Sequence, residues 1–161
     1  MKKNSKGFTL IELLAVIVIL AIIALIATPI ILNIISKVRL GAAQSSAYSL
    51  RDTAKLYFST ELMLDPDSEG AIFECKAEYG KEDGANGKNC ILVTKEDSGD
   101  SYKAVEKDGK KVYLELDNTN PTSALIEIAI NGDITFADVE YNNGAFTCTV
   151  PATGKVTCDA K

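Results

Sequence analysis

One stretch of the chain is long, apolar and free of charge. Residues 13–35 carry no charged side chain, and 16 of these 23 residues are Leu, Ile or Val. About 20 apolar residues span the hydrocarbon core of a bilayer. At roughly 0.3–0.6 kcal/mol each, the aliphatic side chains contribute about 5–10 kcal/mol towards insertion. The sequence therefore predicts a transmembrane helix near the N-terminus.

The segments that flank this span differ in charge. Lys2, Lys3 and Lys6 precede it, whereas residues 37–161 hold 14 Lys/Arg against 21 Asp/Glu, a net charge of −7. The positive-inside rule therefore predicts a cytoplasmic N-terminus. The acidic remainder makes direct nucleic-acid binding unlikely, since such binding depends on Lys and Arg that neutralise phosphates.

The position of a small residue before the span distinguishes this N-terminus from a secretory signal peptide. A signal peptide has 7–15 apolar residues followed by a small-x-small cleavage site. Here the apolar run is about twice that length, and Gly7 lies before it. Cleavage after Gly7 would remove only the basic leader, and the alternative is an uncleaved membrane anchor.

An acidic residue, Glu12, lies at the start of the apolar run. An ionised carboxylate costs about 2.5–3.5 kcal/mol at the centre of a membrane helix and less near its end, so Glu12 does not prevent insertion. A membrane anchor does not require this carboxylate, however. Cleavage after Gly7 creates an α-amino group on Phe8, and the amine of an adjacent subunit would be a cationic partner for this carboxylate.

Residues 6–14 read KGFTLIELL, which resembles the processing motif of type IV prepilins. The resemblance extends over residues 6–35. It implies cleavage after Gly7 by a prepilin peptidase/methyltransferase and methylation of the new Phe8 amine. It also implies that Glu12 aligns incoming pilin subunits, and that Pro29, which matches the family's proline within the span, contributes to assembly.

The helix is predicted to continue beyond the membrane. Apolar and small side chains recur there at intervals of three to five residues: Val38, Ala43, Ala47, Leu50, Ala54, Phe58 and Leu62. This is an amphipathic stripe, and it predicts one helix over 8–62, about 80 Å long. The domain organisation is then a leader (1–7), a transmembrane half-helix (8–35), an amphipathic half-helix (36–62) and a globular domain (63–161).

The globular domain is predicted to be mostly β-strand. Residues 70–89 are loop-rich, and short β-favouring runs follow at 90–94, 102–106, 111–116, 124–130, 134–139, 145–150 and 155–158. Asp108-Gly109 and Asn131-Gly132 are hairpin turn signals. We expect an antiparallel meander with Ile126, Ile128 and Ile130 facing the helix. The fold class is α+β, with the long N-terminal helix packed on an antiparallel sheet as in the pilin fold.

Four cysteines, Cys75, Cys90, Cys148 and Cys158, follow the span. An even count in an exported segment permits two disulfides. Cys148 and Cys158 flank a turn at 151–154, which favours their pairing and leaves Cys75 with Cys90. Free thiols are an alternative, and so is a zinc site, although no C-x2-C pair is present.

The sequence contains no His, which excludes a Ser-His-Asp triad. No phosphate-binding glycine loop occurs. Acidic residues at 65–69 and 97–100 lack the spacing of a calcium loop and are expected to be solvated. We therefore expect no enzymatic activity, no cofactor and no bound metal.

These observations predict a structural subunit of a type IV pilus. The precursor would reside in the cytoplasmic (inner) membrane, and the processed chain would polymerise with other pilin subunits into an extracellular filament on the bacterial cell surface. The alternative is a minor pilin or pseudopilin that acts in adhesion, DNA uptake or type II-like secretion.

Overall fold

A computed structural model describes residues 8–62, 69–82, 85, 87–96, 101–116 and 120–161. These residues form two compact units, divided between Arg39 and Leu40. Helix α1 (Leu10–Tyr57) is followed directly by one π-helical turn, Phe58–Leu62. The predicted helix over 8–62 is therefore present, with its last turn wider than an α-helix. Ser59 and Thr60 both donate side-chain hydrogen bonds to the carbonyl of Leu56 there.

The described residues after the helix form nine strands. They are β1 (Ala71–Lys76), β2 (Cys90–Lys95), β3 (Tyr102–Ala104), β4 (Glu106–Lys107), β5 (Lys110–Lys111), β6 (Ser123–Ile128), β7 (Ile134–Tyr141), β8 (Phe146–Thr149) and β9 (Thr157–Ala160). Seven of them form one antiparallel sheet in the order β3-β2-β1-β6-β7-β8-β9, and β4 pairs with β5. This confirms the α+β class.

The prediction of a loop over 70–89 is wrong for Ala71–Lys76, because this segment forms β1, an interior strand of the sheet. It lies between β2 and β6, with Phe73 opposite Leu92 on one side and opposite Ile126 on the other. The sheet is therefore two meanders joined through β1, rather than one meander. Gly70 begins the strand with a φ of +100°, and a Cβ at this position would lie 2.6 Å from the carbonyl oxygen of Ile128.

Two further strand predictions differ from the structure. Within residues 111–116, only Lys111 belongs to a strand, and Tyr113 forms an isolated bridge to Ile91. Ile126 and Ile128 are buried as expected, but Ile130 is 64% exposed. Ile130 lies beyond the end of β6, where the chain turns towards β7. The alternation of side chains along a strand therefore no longer determines which way the Ile130 side chain points.

The core of the globular unit lies between the second part of α1 and the sheet. The helix contributes a stripe of fully or nearly fully buried residues, Ala43, Ala47, Leu50 and Ala54. Tyr57 contacts Phe73 of β1 edge to face, with ring centroids 4.9 Å apart. Three of these four residues are alanines. Because their side chains are small, the helix can pack close to the sheet. Val38, predicted as part of the stripe, is exposed and belongs to the N-terminal unit.

Tyr141 is buried in this core, and none of the described residues forms a hydrogen bond with its hydroxyl. An unsatisfied buried polar group costs about 1–3 kcal/mol. We therefore expect Tyr141→Phe to raise the free energy of unfolding by up to that amount, measured by urea denaturation of the full chain in detergent. A loss of more than about 1 kcal/mol would show that the hydroxyl makes a stabilising bond.

Because Tyr141 is buried, we expect the folded globular unit to lose stability at alkaline pH. Burial raises the pKa of the Tyr141 hydroxyl, whereas an unfolded tyrosine has a pKa of about 10. Above about pH 10 the unfolded chain releases a proton that the folded chain retains, so stability falls as pH rises. We expect Tyr141→Phe to reduce this loss. Some dependence should remain, because burial also raises the pKa of Tyr57.

Candidate processing and assembly site

The N-terminus of α1 is built around Thr9 and Glu12. Thr9 is the residue before the helix, and its carbonyl accepts the hydrogen bond of the Leu13 N–H at 3.2 Å. Its N–H and its hydroxyl both donate to Oε2 of Glu12 at 2.8 Å, and the Glu12 N–H donates to the Thr9 hydroxyl oxygen at 3.3 Å. This reciprocal arrangement is a capping box.

The capping box was not part of the prediction, although the sequence contains its signature. A Thr followed three residues later by Glu, directly before an apolar run, is the pattern of such a helix start. The charge of Glu12 and its spacing from Phe8 predict a partner on an adjacent subunit. The structure adds that its carboxylate also satisfies donors of its own chain.

The helix that follows is apolar around its whole circumference. Its large side chains between Leu10 and Ile35 are exposed, as is Phe8 at 88%. The helix contains a stretch long and apolar enough to cross a membrane, judged by length and composition. An all-round apolar helix of this kind requires lipid or other helices as its surroundings. The N-terminal sequence motif and the apolar helix together are consistent with a membrane-anchored precursor.

Of the other predicted site residues in this region, Pro29 lies within α1, and Gly7 lies outside the described residues. Proline removes one backbone N–H donor from the helix interior. In the residue directly before it, the Thr28 hydroxyl donates to the carbonyl of Ala24 at 2.7 Å. The contribution of Pro29 to assembly stays a prediction.

The four cysteines lie in two pairs at disulfide distance. Cys75 of β1 is bonded to Cys90 of β2, and Cys148 of β8 is bonded to Cys158 of β9. In both cases the two residues are direct partners in the antiparallel register. Directly opposite residues on antiparallel strands have Cα atoms about 4.5–5.5 Å apart, which is close enough for a disulfide. The first pair depends on β1, the strand that sequence patterns missed.

A set of polar side chains on α1 holds the C-terminal loop that the second disulfide closes. Gln44 donates to the carbonyl of Val156 at 2.6 Å, and the Val156 N–H donates to the hydroxyl of Tyr48 at 3.0 Å. Arg51 donates to the carbonyl of Gly154 at 2.7 Å. Positions 44, 48 and 51 share one helix face. These helix side chains therefore bind main-chain atoms of the loop.

The acidic residues considered for calcium lie largely outside the described residues, namely Asp65, Asp67, Asp97 and Asp100. Among the residues that the structure describes, no group of three or more His, Cys, Asp or Glu side chains is arranged to hold a metal ion.

Residues 2–28 match the family model of the prokaryotic N-terminal methylation motif, which is the signature of type IV pilins and pseudopilins. This chain carries the pilin signature. The pilin motif includes Gly7, Phe8, Thr9 and Glu12, and it ends one residue before Pro29. It implies processing by a prepilin peptidase and assembly with other pilin subunits. The family is a structural one.

Neither a curated protein nor a solved structure matches the chain significantly. The match to the pilin motif covers only residues 2–28, in the N-terminal part of the chain.

Proposed function

We propose that this chain is a structural subunit of a type IV pilus, cleaved after Gly7, methylated at Phe8 and polymerised through α1. The observation that carries the proposal is Glu12, the one acidic residue of an otherwise uncharged apolar segment. A carboxylate in such a position needs a cationic partner when the helix leaves water. The Phe8 amine that cleavage creates is a partner of the right charge.

The exposed apolar surface of α1 supports polymerisation. In a bilayer, lipid tails cover these side chains as well as another helix would, so helix association depends on van der Waals packing and on polar pairs rather than on a hydrophobic force. A pair between Glu12 of one subunit and the Phe8 amine of another adds the polar attraction that aliphatic packing lacks. It also sets the axial position of one helix against its neighbour.

The globular unit would form the filament surface. Its core is closed by the helix stripe and the sheet, and two disulfides join neighbouring strands. The chain has no His, the side chain used for acid–base catalysis near neutral pH. This composition is consistent with a structural rather than an enzymatic role.

Mass spectrometry of the protein from cells that produce a prepilin peptidase tests the processing steps. We expect a chain that begins at Phe8, with one methyl group on its amine and with the mass of two disulfides. A chain that retains residues 1–7 in the presence of active peptidase would contradict the proposal and favour the uncleaved anchor.

The residue before the cut provides a separate prediction. Replacing Gly7 with leucine should block leader removal, because a peptidase that accepts glycine at this position has to exclude a bulky side chain there. The precursor should accumulate in the membrane and migrate more slowly on a denaturing gel. Lys6→Ala is the matched control and should be processed normally. Equal migration of the Gly7→Leu product and the mature chain would refute the predicted cleavage position.

A further inference from the structure

The turn between β7 and β8 places three consecutive residues in the left-handed backbone region. They are Asn142, Asn143 and Gly144, with φ values of 55°, 55° and 79°. Glycine enters this region freely because it has no Cβ, and Asn and Asp are the other residues that visit it routinely. A Cβ at Gly144 would also lie 3.0 Å from Oε2 of Glu140. The backbone of the turn therefore favours Asn followed by Gly at 143–144.

An Asn-Gly dipeptide is chemically labile, because glycine has no side chain to hinder attack on the asparagine before it. The main-chain nitrogen of the glycine bonds to Cγ of the asparagine, the bond from Cγ to the side-chain nitrogen breaks, and ammonia leaves. Water then opens the cyclic imide to aspartate, or to isoaspartate with a longer main chain. The chain contains three such dipeptides, which begin at Asn86, Asn131 and Asn143. Asn86 lies outside the described residues.

At Asn131 both reacting groups are engaged in hydrogen bonds. The side-chain oxygen of Asn131 accepts the N–H of Asp133 at 3.0 Å, and its Nδ2 donates to Oδ2 of Asp133 at 2.7 Å. The N–H of Gly132, whose nitrogen is the nucleophile there, donates to the carbonyl of Ala129 at 2.9 Å. These bonds have to open before the ring can close, so the fold protects Asn131 although its side chain is exposed.

Asn143 is equally exposed but lacks these restraints. Its main-chain N–H donates to the hydroxyl of Thr122 at 3.0 Å, a bond that does not involve the side chain. Within the described part of the chain, neither the side-chain amide of Asn143 nor the N–H of Gly144 has a hydrogen-bond partner. We propose that Asn143 is a site of spontaneous deamidation, whereas the fold protects Asn131. This inference is independent of the proposed function.

Deamidation changes the hairpin in charge and in length. Both products add a negative charge to the turn, where the carboxylate of Glu140 already lies beside Gly144. Aspartate is compatible with the left-handed backbone. Isoaspartate, in contrast, adds a methylene group to the main chain of the turn that aligns Tyr141 with Phe146. Because the reaction accumulates with time, it distinguishes old subunits from newly made ones.

The test follows both asparagines in the same sample of the full chain in detergent. The folded protein is incubated at mildly alkaline pH, and peptide mass spectrometry quantifies the exchange of amide for acid at each position over time. A second sample is incubated in urea, where the fold protects neither position. In the folded chain we expect Asn143 to react at least about tenfold faster than Asn131, because the bonds at Asn131 have to open first. In urea the two rates should converge.

A variant tests the physical cause of the difference. Asp133→Ala removes the acceptor of the Asn131 side chain and should raise the rate at Asn131 several-fold in the folded protein, while the rate at Asn143 stays unchanged. Equal rates at the two asparagines in the folded wild type would overturn the inference, as would the absence of reaction at Asn143 in a folded chain that reacts there in urea. An unchanged rate at Asn131 in Asp133→Ala would refute the protective role of these hydrogen bonds, on which the inference depends.

Discussion

Replacing Glu12 with alanine should abolish filament assembly while membrane insertion and leader removal continue. Insertion persists because the aliphatic side chains of residues 13–35 supply about 5–10 kcal/mol, and removing a carboxylate only lowers the cost of insertion. Assembly fails because the Phe8 amine of a neighbouring subunit loses its anionic partner within the apolar surroundings. Truncating one member of such a buried pair costs about 3–5 kcal/mol, which corresponds to a loss of roughly two to four orders of magnitude in association.

The measurement is the amount of sheared filament relative to cleaved subunit in the membrane. Glu61→Ala is the matched control, since Glu61 is an exposed carboxylate in the last helical turn, outside the uncharged segment. It should assemble as the wild type does. Filaments of normal yield from Glu12→Ala would exclude the alignment role of this residue.

Replacing Leu50 with alanine should destabilise the globular unit by about 2–5 kcal/mol. Leu50 is fully buried on the face of α1 that packs on the sheet. Its truncation removes favourable burial and leaves a cavity that the surrounding strands fill only in part. Because domains are typically stable by 5–15 kcal/mol, this single change removes a large part of the total.

Leu56→Ala provides the matched control on the same helix. Leu56 is 61% exposed, so the same change in side chain and in helix propensity occurs without a cavity. Urea denaturation of both variants as full chains in detergent should show a lower midpoint for Leu50→Ala at an unchanged slope, and a shift below about 0.5 kcal/mol for Leu56→Ala. Similar midpoints for the two variants would contradict the assignment of Leu50 to the core.

Local patterns predicted the helix and much of the sheet correctly. The uncharged run at 13–35 is visible as a continuous stretch of sequence. The stripe that contains Ala47 and Leu50 depends only on residues three or four positions apart. The Asp108-Gly109 turn is also a local signal, and both residues adopt positive φ between β4 and β5. Such features are readable because the interacting groups are neighbours in the chain.

The interior strand β1 shows where sequence patterns fail. Ala71–Lys76 is followed by a segment rich in glycine and charge, and its own alternation is short. Its stability comes from β6, where Phe73 lies opposite Ile126, more than 50 positions away along the chain. Nothing in the surrounding residues reports this pairing.

The uncharged segment at 13–35, the acidic Glu12 directly before it and the small residue Gly7 further upstream were determined by the sequence alone. Charge, apolarity and the spacing of neighbouring residues are intrinsic to the chain, and the lipid environment acts on them directly. Only the tertiary structure placed β1 between β2 and β6 and brought Cys75 beside Cys90. It alone connected Gln44 to Val156, 112 positions apart. These contacts form between distant segments, and their geometry exists only once the helix and sheet have packed together.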